Sequence, residues 1–229
     1  KMLELKNVTY QYSSGRKNKK LAINNLSLQF KRNTFYTIFG PSGSGKTTCL
    51  SLLGGLERPD TGNVLLDGET IEKMSGNLYR RKYVSFVFQD FHLFMHMTAM
   101  ENVLIALKIS NPKMEKLDMI KKANDTLRIL GMEEQEINRK VSKLSGGQMQ
   151  RVAIARALAV DAPYILADEP TGNLDCANTD NIISILRDLV DKYGKCVIVV
   201  THSLKVRDAS DISYVIEDGK LSEMIVLQN

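Results

Sequence analysis

The chain has 229 residues, 43% of them hydrophobic and 25% charged, with a formal net charge of +5. That length and balance suit one globular domain with a sizeable core and exclude a disordered chain; no window approaches the roughly 18 consecutive apolar residues of a membrane span, so any membrane partner is expected to be a separate chain. Apart from the cluster Arg16, Lys17, Lys19 and Lys20 the cations are interspersed with acids, which reads as a solvated basic surface with no nucleic-acid partner.

Along the chain, apolar alternation predicts strands over residues 2–12 and 26–30, and residues 35–39 form a strand that runs into a glycine-rich loop and a helix starting near Thr47. Residues 64–66, followed by Asp67-Gly68, and residues 83–88 read as further strands by their β-branched and aromatic content. The period then changes. Residues 99–108, 117–130 and 148–160 carry apolar positions at helical spacing, with Pro112 and Gly131 as breaks, and define a helical insertion over about 91–160. A strand over 164–168, a helix over 178–192 closed by Gly194, and a strand over 196–201 restore the alternation of strand and helix that implies a mainly parallel sheet. Residues 213–217 and 220–226 flank Asp218-Gly219, a pair suited to the positive dihedrals of a type I′ hairpin turn. Cys49, Cys176 and Cys196 are odd in number and without a Cys-x-x-Cys pair, which argues against a disulfide framework and zinc; all three are expected to be reduced and structural. The first residues lack a basic segment followed by an apolar core and a cleavage site, so a cytoplasmic location is expected.

Three motifs carry chemistry. In Gly40-Pro41-Ser42-Gly43-Ser44-Gly45-Lys46-Thr47, glycines let successive backbone N–H groups turn inward around a phosphate at the start of a helix, Lys46 neutralises β and γ phosphates, and the Thr47 hydroxyl suits Mg2+, a hard cation that prefers oxygen. Thr48 extends the same turn. The apolar strand ending in Asp168 and Glu169 would aim Asp168 at that ion and Glu169 at the attacking water; the plain alternative is a strand ending in a solvated acidic turn. In Leu144-Ser145-Gly146-Gly147-Gln148, Ser145 can cap a following helix and leave N–H groups facing outward, a second phosphate site. One nucleotide does not need two such sites on one chain.

These motifs, in this order and spacing, make the chain resemble ABC transporter nucleotide-binding subunits over nearly its whole length. The resemblance implies an α/β fold: a P-loop NTPase core with a mainly parallel sheet, an N-terminal antiparallel β part and an inserted helical subdomain, all one domain over 1–229 with residues 91–160 set into a core of 1–90 and 161–229. It implies that Ser145, Gly146, Gly147 and Gln148 bind the γ phosphate held by a second copy, that Gln89 touches Mg2+ and water, that His202 reaches the γ phosphate, and that Asp175 runs along the dimer seam. Each single residue has a plainer reading, as polar surface, packing and turn stabilisation respectively. For adenine the resemblance favours Tyr12, with Tyr10 on the same strand face as the alternative and strand packing as the competing role for both. The segment Asp90-Phe91-His92-Leu93-Phe94-Met95-His96-Met97 is read equally as core and as the docking place, near Gln89 to Met97, of a transmembrane permease chain; a metal site from His92 and His96 would need helical spacing and a third ligand.

Gly172-Asn173-Leu174-Asp175, preceded by Asp168-Glu169-Pro170-Thr171, looks most like the branch serving macrolide, lipoprotein and antimicrobial-peptide exporters. The expected function is thus an ATP-binding, ATP-hydrolysing subunit at the cytoplasmic face of the membrane, exporting peptides, lipids or drugs through ATP-dependent head-to-tail dimerisation. An importer or a cell-division signalling ATPase is the alternative. Chromosome-maintenance ATPases would need a long coiled coil for which there is no room, a translation factor would carry the motifs twice, and a P-loop kinase leaves residues 144–148 without a role.

Overall fold

The computed structural model describes residues 2–14 and 18–227. Arg16 and Lys17 of the basic cluster lie outside them. Strands β1 (Met2–Ser14) and β2 (Asn18–Lys31) pair antiparallel, and after β3 (Thr34–Phe39) and helix α1 (Lys46–Leu53) come β4 (Thr61–Leu66) and β5 (Glu69–Thr70), which join that pair in a four-stranded sheet of order β2-β1-β4-β5. In β1 the core face is carried by Leu3, Leu5 and Val8. Strict alternation would put Val8 on the wrong face, and a register shift between Leu5 and Val8, with Asn7 at φ 51°, brings it back.

Helix α2 (Gly76–Lys82) leads to β6 (Val84–Val87). Next come α3 (Ala99–Ser110), α4 (Lys116–Ile129), α5 (Glu134–Ile137) and α6 (Gly146–Ala159), and then β7 (Tyr164–Asp168), α7 (Cys176–Asp191), β8 (Cys196–Thr201), α8 (Leu204–Asp208), β9 (Ile212–Glu217) and β10 (Lys220–Val226). The second sheet has six strands in the order β10-β9-β3-β8-β7-β6; every neighbouring pair is parallel except β9 with β10. Central β8 is buried along its whole length, which is why it reads Cys-Val-Ile-Val-Val-Thr without alternation. One core lies under the antiparallel sheet and α1. The other is shared by the parallel sheet, α3, α4, α6 and α7.

The expected mainly parallel sheet, antiparallel β part and helices between β6 and β7 are all present, and Asp218 and Gly219 have φ of 47° and 74°, as a type I′ turn requires. Helices α6 and α7 begin two residues before the start of apolar periodicity, because Ser145 and Asp175 cap them. Strand β2 starts well before the predicted residue 26, and the short α2, α5 and α8 were not expected. Cys49 and Cys196 are buried and their thiols pushed up by burial; Cys176 is exposed at the start of α7, against the expectation that all three are structural.

Candidate active site

The loop after β3 is shaped by two left-handed glycines, Gly43 at φ 78° and Gly45 at φ 103°. At Gly43 a side chain would have open space, so the backbone conformation alone calls for glycine; at Gly45 it would also strike the Ala22 carbonyl. The α1 ladder opens with Cys49 N–H donating to Gly45 O at 2.9 Å, so the preceding N–H groups fall outside it, and α1 has neither a capping side chain nor an acid in its first turn. The N–H groups of Lys46, Thr47 and Thr48, left out of the ladder at the positive end of a helix, favour an anion. Among the described residues the buried Ser44 hydroxyl has no hydrogen-bond partner. Lys46, buried, donates from Nζ to Pro41 O at 2.8 Å.

Asp168 ends β7 beside Val200 of β8, and Thr47 Oγ1 donates to its Oδ1 at 3.3 Å. Burial pushes the Asp168 carboxyl above its usual range, with the Thr47 hydrogen bond opposing, the Glu169 charge adding and Lys46 opposing. A hydroxyl and a half-buried carboxylate facing one another, with Gln89 on the same cavity, form a hard-oxygen donor set that fits Mg2+. The next residue departs from regular structure: Glu169 has φ 43°, a costly conformation for a side chain with a Cβ. Its N–H donates to Val200 O at 2.9 Å and its carbonyl accepts from Gly172 N at 3.0 Å. Both carboxylate oxygens are engaged, Oε2 by Thr201 Oγ1 at 3.1 Å and Oε1 by His202 Nδ1 at 2.7 Å.

Lys46, Thr47, Thr48, Ser42, Gly43, Gly45, Gln89, Asp168, Glu169, His202 and Tyr12 wall one cavity of about 610 Å3. Gln89 lies just beyond the end of β6, its carbonyl accepting from Asn173 Nδ2 at 3.2 Å. Gly40 sits at the loop's entry, where a side chain would strike the Ile216 carbonyl. Of the two candidate tyrosines, Tyr12 is on the cavity wall with its hydroxyl 3.0 Å from Thr48 Oγ1. Tyr10 meets Tyr12 edge-on at 5.1 Å and packs on the core, and its hydroxyl is pushed up to about 12 by burial and then by a hydrogen bond with Glu57.

Ser145, Gly146, Gly147 and Gln148 are not on that wall. Ser145 and Gln148 form a capping box, Gln148 N–H donating to Ser145 Oγ at 3.3 Å and Ser145 N–H to Gln148 Oε1 at 2.8 Å. Gln148 Nε2 also bonds Glu136 Oε1. A side chain at Gly147 would drive into Asn178, whereas one at Gly146 would meet Leu174 Cδ2 at an ordinary 3.7 Å. Asp175 caps α7: Oδ1 accepts from Asn178 N at 2.8 Å and Oδ2 from Asn178 Nδ2 at 2.9 Å, and these bonds, the backbone one foremost, hold its carboxyl below the usual range. Asp175 therefore has the turn-stabilising role in the isolated chain.

The segment 90–97 divides between its two readings. Phe91 and Leu93 pack on the core, while Phe94, Met95 and Met97 are exposed. The segment is not helical, so His92 and His96 lack the spacing of paired ligands, and the His92 ring packs against Phe88 at 4.5 Å. Phe91 and His92 are both left-handed, at φ 59° and 45°. Arg156 of α6, its pKa lowered by burial, donates Nη2 to Phe91 O at 2.9 Å and Nη1 to His92 O. Beside them a second cavity, about 620 Å3, is lined by Phe86, Phe88, His92 and Ile109 and by Arg80, Arg81 and Arg156. Sequence reasoning missed Thr201, Glu136, Asn178 and Arg156 as partners of site residues. Only Thr201, ending an apolar strand beside His202, carried any local signal.

Comparisons with known proteins identify the family and the fold. The family model described as ABC transporter matches residues 23–172. An uncharacterised ABC transporter ATP-binding protein of Bacillus subtilis, YclH, is 41% identical over 222 residues, 96% of each chain. The lipoprotein-releasing system ATP-binding protein LolD of Francisella tularensis is 38% identical over 231 residues, covering 100% of this chain and 98% of its own. Among solved structures, the dimeric cassette MJ0796 superposes with a TM-score of 0.90 at 38% identity, over 99% of both chains; it has also been solved as a dimer in a post-hydrolysis state with ADP and Pi.

Proposed function

The chain belongs to the ABC transporter family, as one of its ATP-binding, ATP-hydrolysing subunits, and from that premise we propose that two copies close head to tail around two ATP molecules to drive a membrane transporter. One observation carries the reading: Ser145 to Gln148 stand off the cavity that holds Lys46 and Thr47. Because α6 starts at Gly146 behind the exposed Ser145 and the capping box takes the Gln148 N–H, the N–H groups of Gly146 and Gly147 are the ones left for phosphate brought by another molecule. That the MJ0796 cassette has been solved as a dimer supports a two-copy assembly.

Within each copy the loop N–H groups and Lys46 bind the phosphates. Tyr12 stacks on the adenine. Thr47, Asp168 and Gln89 would hold Mg2+, which neutralises phosphate charge when bound. Glu169 accepts a proton from the attacking water, and His202, anchored at Nδ1 by Glu169, presents its other ring nitrogen to the γ phosphate. Residues 91–160 act as an inserted unit within a core of 1–90 and 161–229.

Among the described residues no helix is long and apolar enough to cross a membrane, so the transport path would belong to a separate permease and this chain would sit peripherally at the cytoplasmic face. The cavity beside Phe88 and His92, with exposed Phe94, Met95 and Met97 nearby in sequence, supports docking of a permease helix there. Export of lipids, peptides or drugs is favoured by the full-length likeness to a lipoprotein-releasing ATPase. The test is the mass in solution of Glu169→Gln with ATP and Mg2+: a nucleotide-dependent doubling is expected, and a monomer at saturating ATP overturns the pairing.

A further inference from the structure

We infer that Thr201 is a positioning residue for hydrolysis, its hydroxyl holding the Glu169 carboxylate in the orientation from which it takes a proton from water. This rests on the reading of Glu169 as the base. Thr201 is the last residue of β8 and fully buried. A threonine hydroxyl has one proton to give and lone pairs to receive. Ser203 N–H donates to Thr201 Oγ1 at 3.0 Å, which occupies a lone pair and leaves the hydroxyl proton for Glu169 Oε2 at 3.1 Å. The donor direction is thus set by the backbone of the turn that also carries His202.

The two anchors of the carboxylate are unequal. The His202 side chain is 70% exposed against 14% for Glu169, so an imidazole that must also meet a phosphate is free to move. Thr201 is fixed by its β-branched rotamer and its burial. Glu169 needs such a fixture, because its left-handed backbone, φ 43°, lies outside any helix or strand that would orient the side chain. Four apolar residues, Val197 to Val200, precede Thr201 in the same buried strand. A valine would complete that run without a hydroxyl to desolvate, and burying a hydroxyl is costly unless it is bonded. Here both of its bonds are spent at the site.

Thr201→Val, Thr201→Ser, Glu169→Gln and the double variant Thr201→Val/Glu169→Gln test this in the full chain with Mg2+ and ATP. Thr201→Val is expected to lower kcat roughly tenfold or more, a part of the 10²–10⁴ a general base supplies, with KM for ATP within about twofold. Thr201→Ser should restore turnover, and Thr201→Val should cost nothing further in the Glu169→Gln background. Apart from turnover, Thr201→Val should accumulate the ATP-bound two-chain species seen by light scattering, as Glu169→Gln does. Wild-type kcat in Thr201→Val, failure of serine to rescue, or an additive loss in the double variant overturns the inference. Full activity of Glu169→Gln itself would instead remove the base on which it stands.

Discussion

Lys46 donates its ammonium to the carbonyl oxygen of Pro41, 2.8 Å away across the same loop, and among the described residues no carboxylate lies within ion-pair distance of it. A buried cation satisfied by one neutral oxygen is a strong attractor for phosphate. Lys46→Ala should weaken ATP binding at least about tenfold, since a hydrogen bond to a charged group contributes about 1.5–3 kcal/mol, while the melting temperature changes little. Calorimetric titration checks the affinity and scanning calorimetry the melting temperature, and unchanged affinity would remove the phosphate assignment of the loop.

Tyr12, rather than Tyr10, walls the cavity. Stacking on a base contributes about 1–3 kcal/mol, so Tyr12→Ala should raise the dissociation constant for ATP about 5- to 150-fold, and Tyr12→Phe should keep most of the affinity. Tyr10→Ala should lower thermal stability through lost packing with little effect on binding. Equal affinity losses at both positions would mean that the two rings act as one platform.

Gly146 and Gly147 separate surface from packing. Gly147→Ala drives a methyl into Asn178 and should cost about 1–3 kcal/mol by overpacking, read by urea denaturation. Gly146→Ala meets only Leu174 at 3.7 Å and should leave the fold unharmed or up to about 1 kcal/mol more stable. If residues 145–148 receive phosphate from a second copy, Gly146→Ala nonetheless weakens ATP-dependent pairing. Intact pairing together with full turnover in that variant would argue against close approach at Gly146.

Asp168 is held above its ordinary pKa chiefly by burial, so its charged form is disfavoured in the folded chain. The protonated group contributes stability that is fully present below the unfolded value near 3.8 and is lost as pH rises through the folded one. Asp168→Asn mimics the protonated form. Without nucleotide or divalent cation it should melt above wild type at neutral pH, with the difference closing below about pH 4, and it should not hydrolyse ATP. A lower melting point at pH 7 would contradict the burial argument.

The strands and long helices were legible because each carries its period: β7, β8 and β10 fall on the predicted residues, and the long helices are displaced by no more than two residues at either end. Helices of one or two turns, such as α2 with Tyr79 as its one buried residue and α8 with Val206, are too short to show a repeat. The glycine-rich loop and its place between β3 and α1 were legible because its glycines act through local backbone geometry. Partnerships across the chain were not: Thr201 with Glu169, or Arg156 with Phe91 and His92, depend on which strand lies beside which, and neither sequence separation nor residue type reveals it.

Helix α6 links two distant regions by being stiff. Its 14 residues span about 21 Å at 1.5 Å per residue, with Gly146 and Gly147 at its head, where the proposed pairing would bring another copy's ATP, and Arg156, gripping the carbonyls of Phe91 and His92, near its tail. Those two residues are already bent into a conformation with little room to give. A tilt of the rod at its glycine end therefore has no slack to disappear into. In the proposed pairing it would arrive at the arginine-lined cavity as a displacement of backbone, turning the timing of phosphate capture into a push on whatever is seated there.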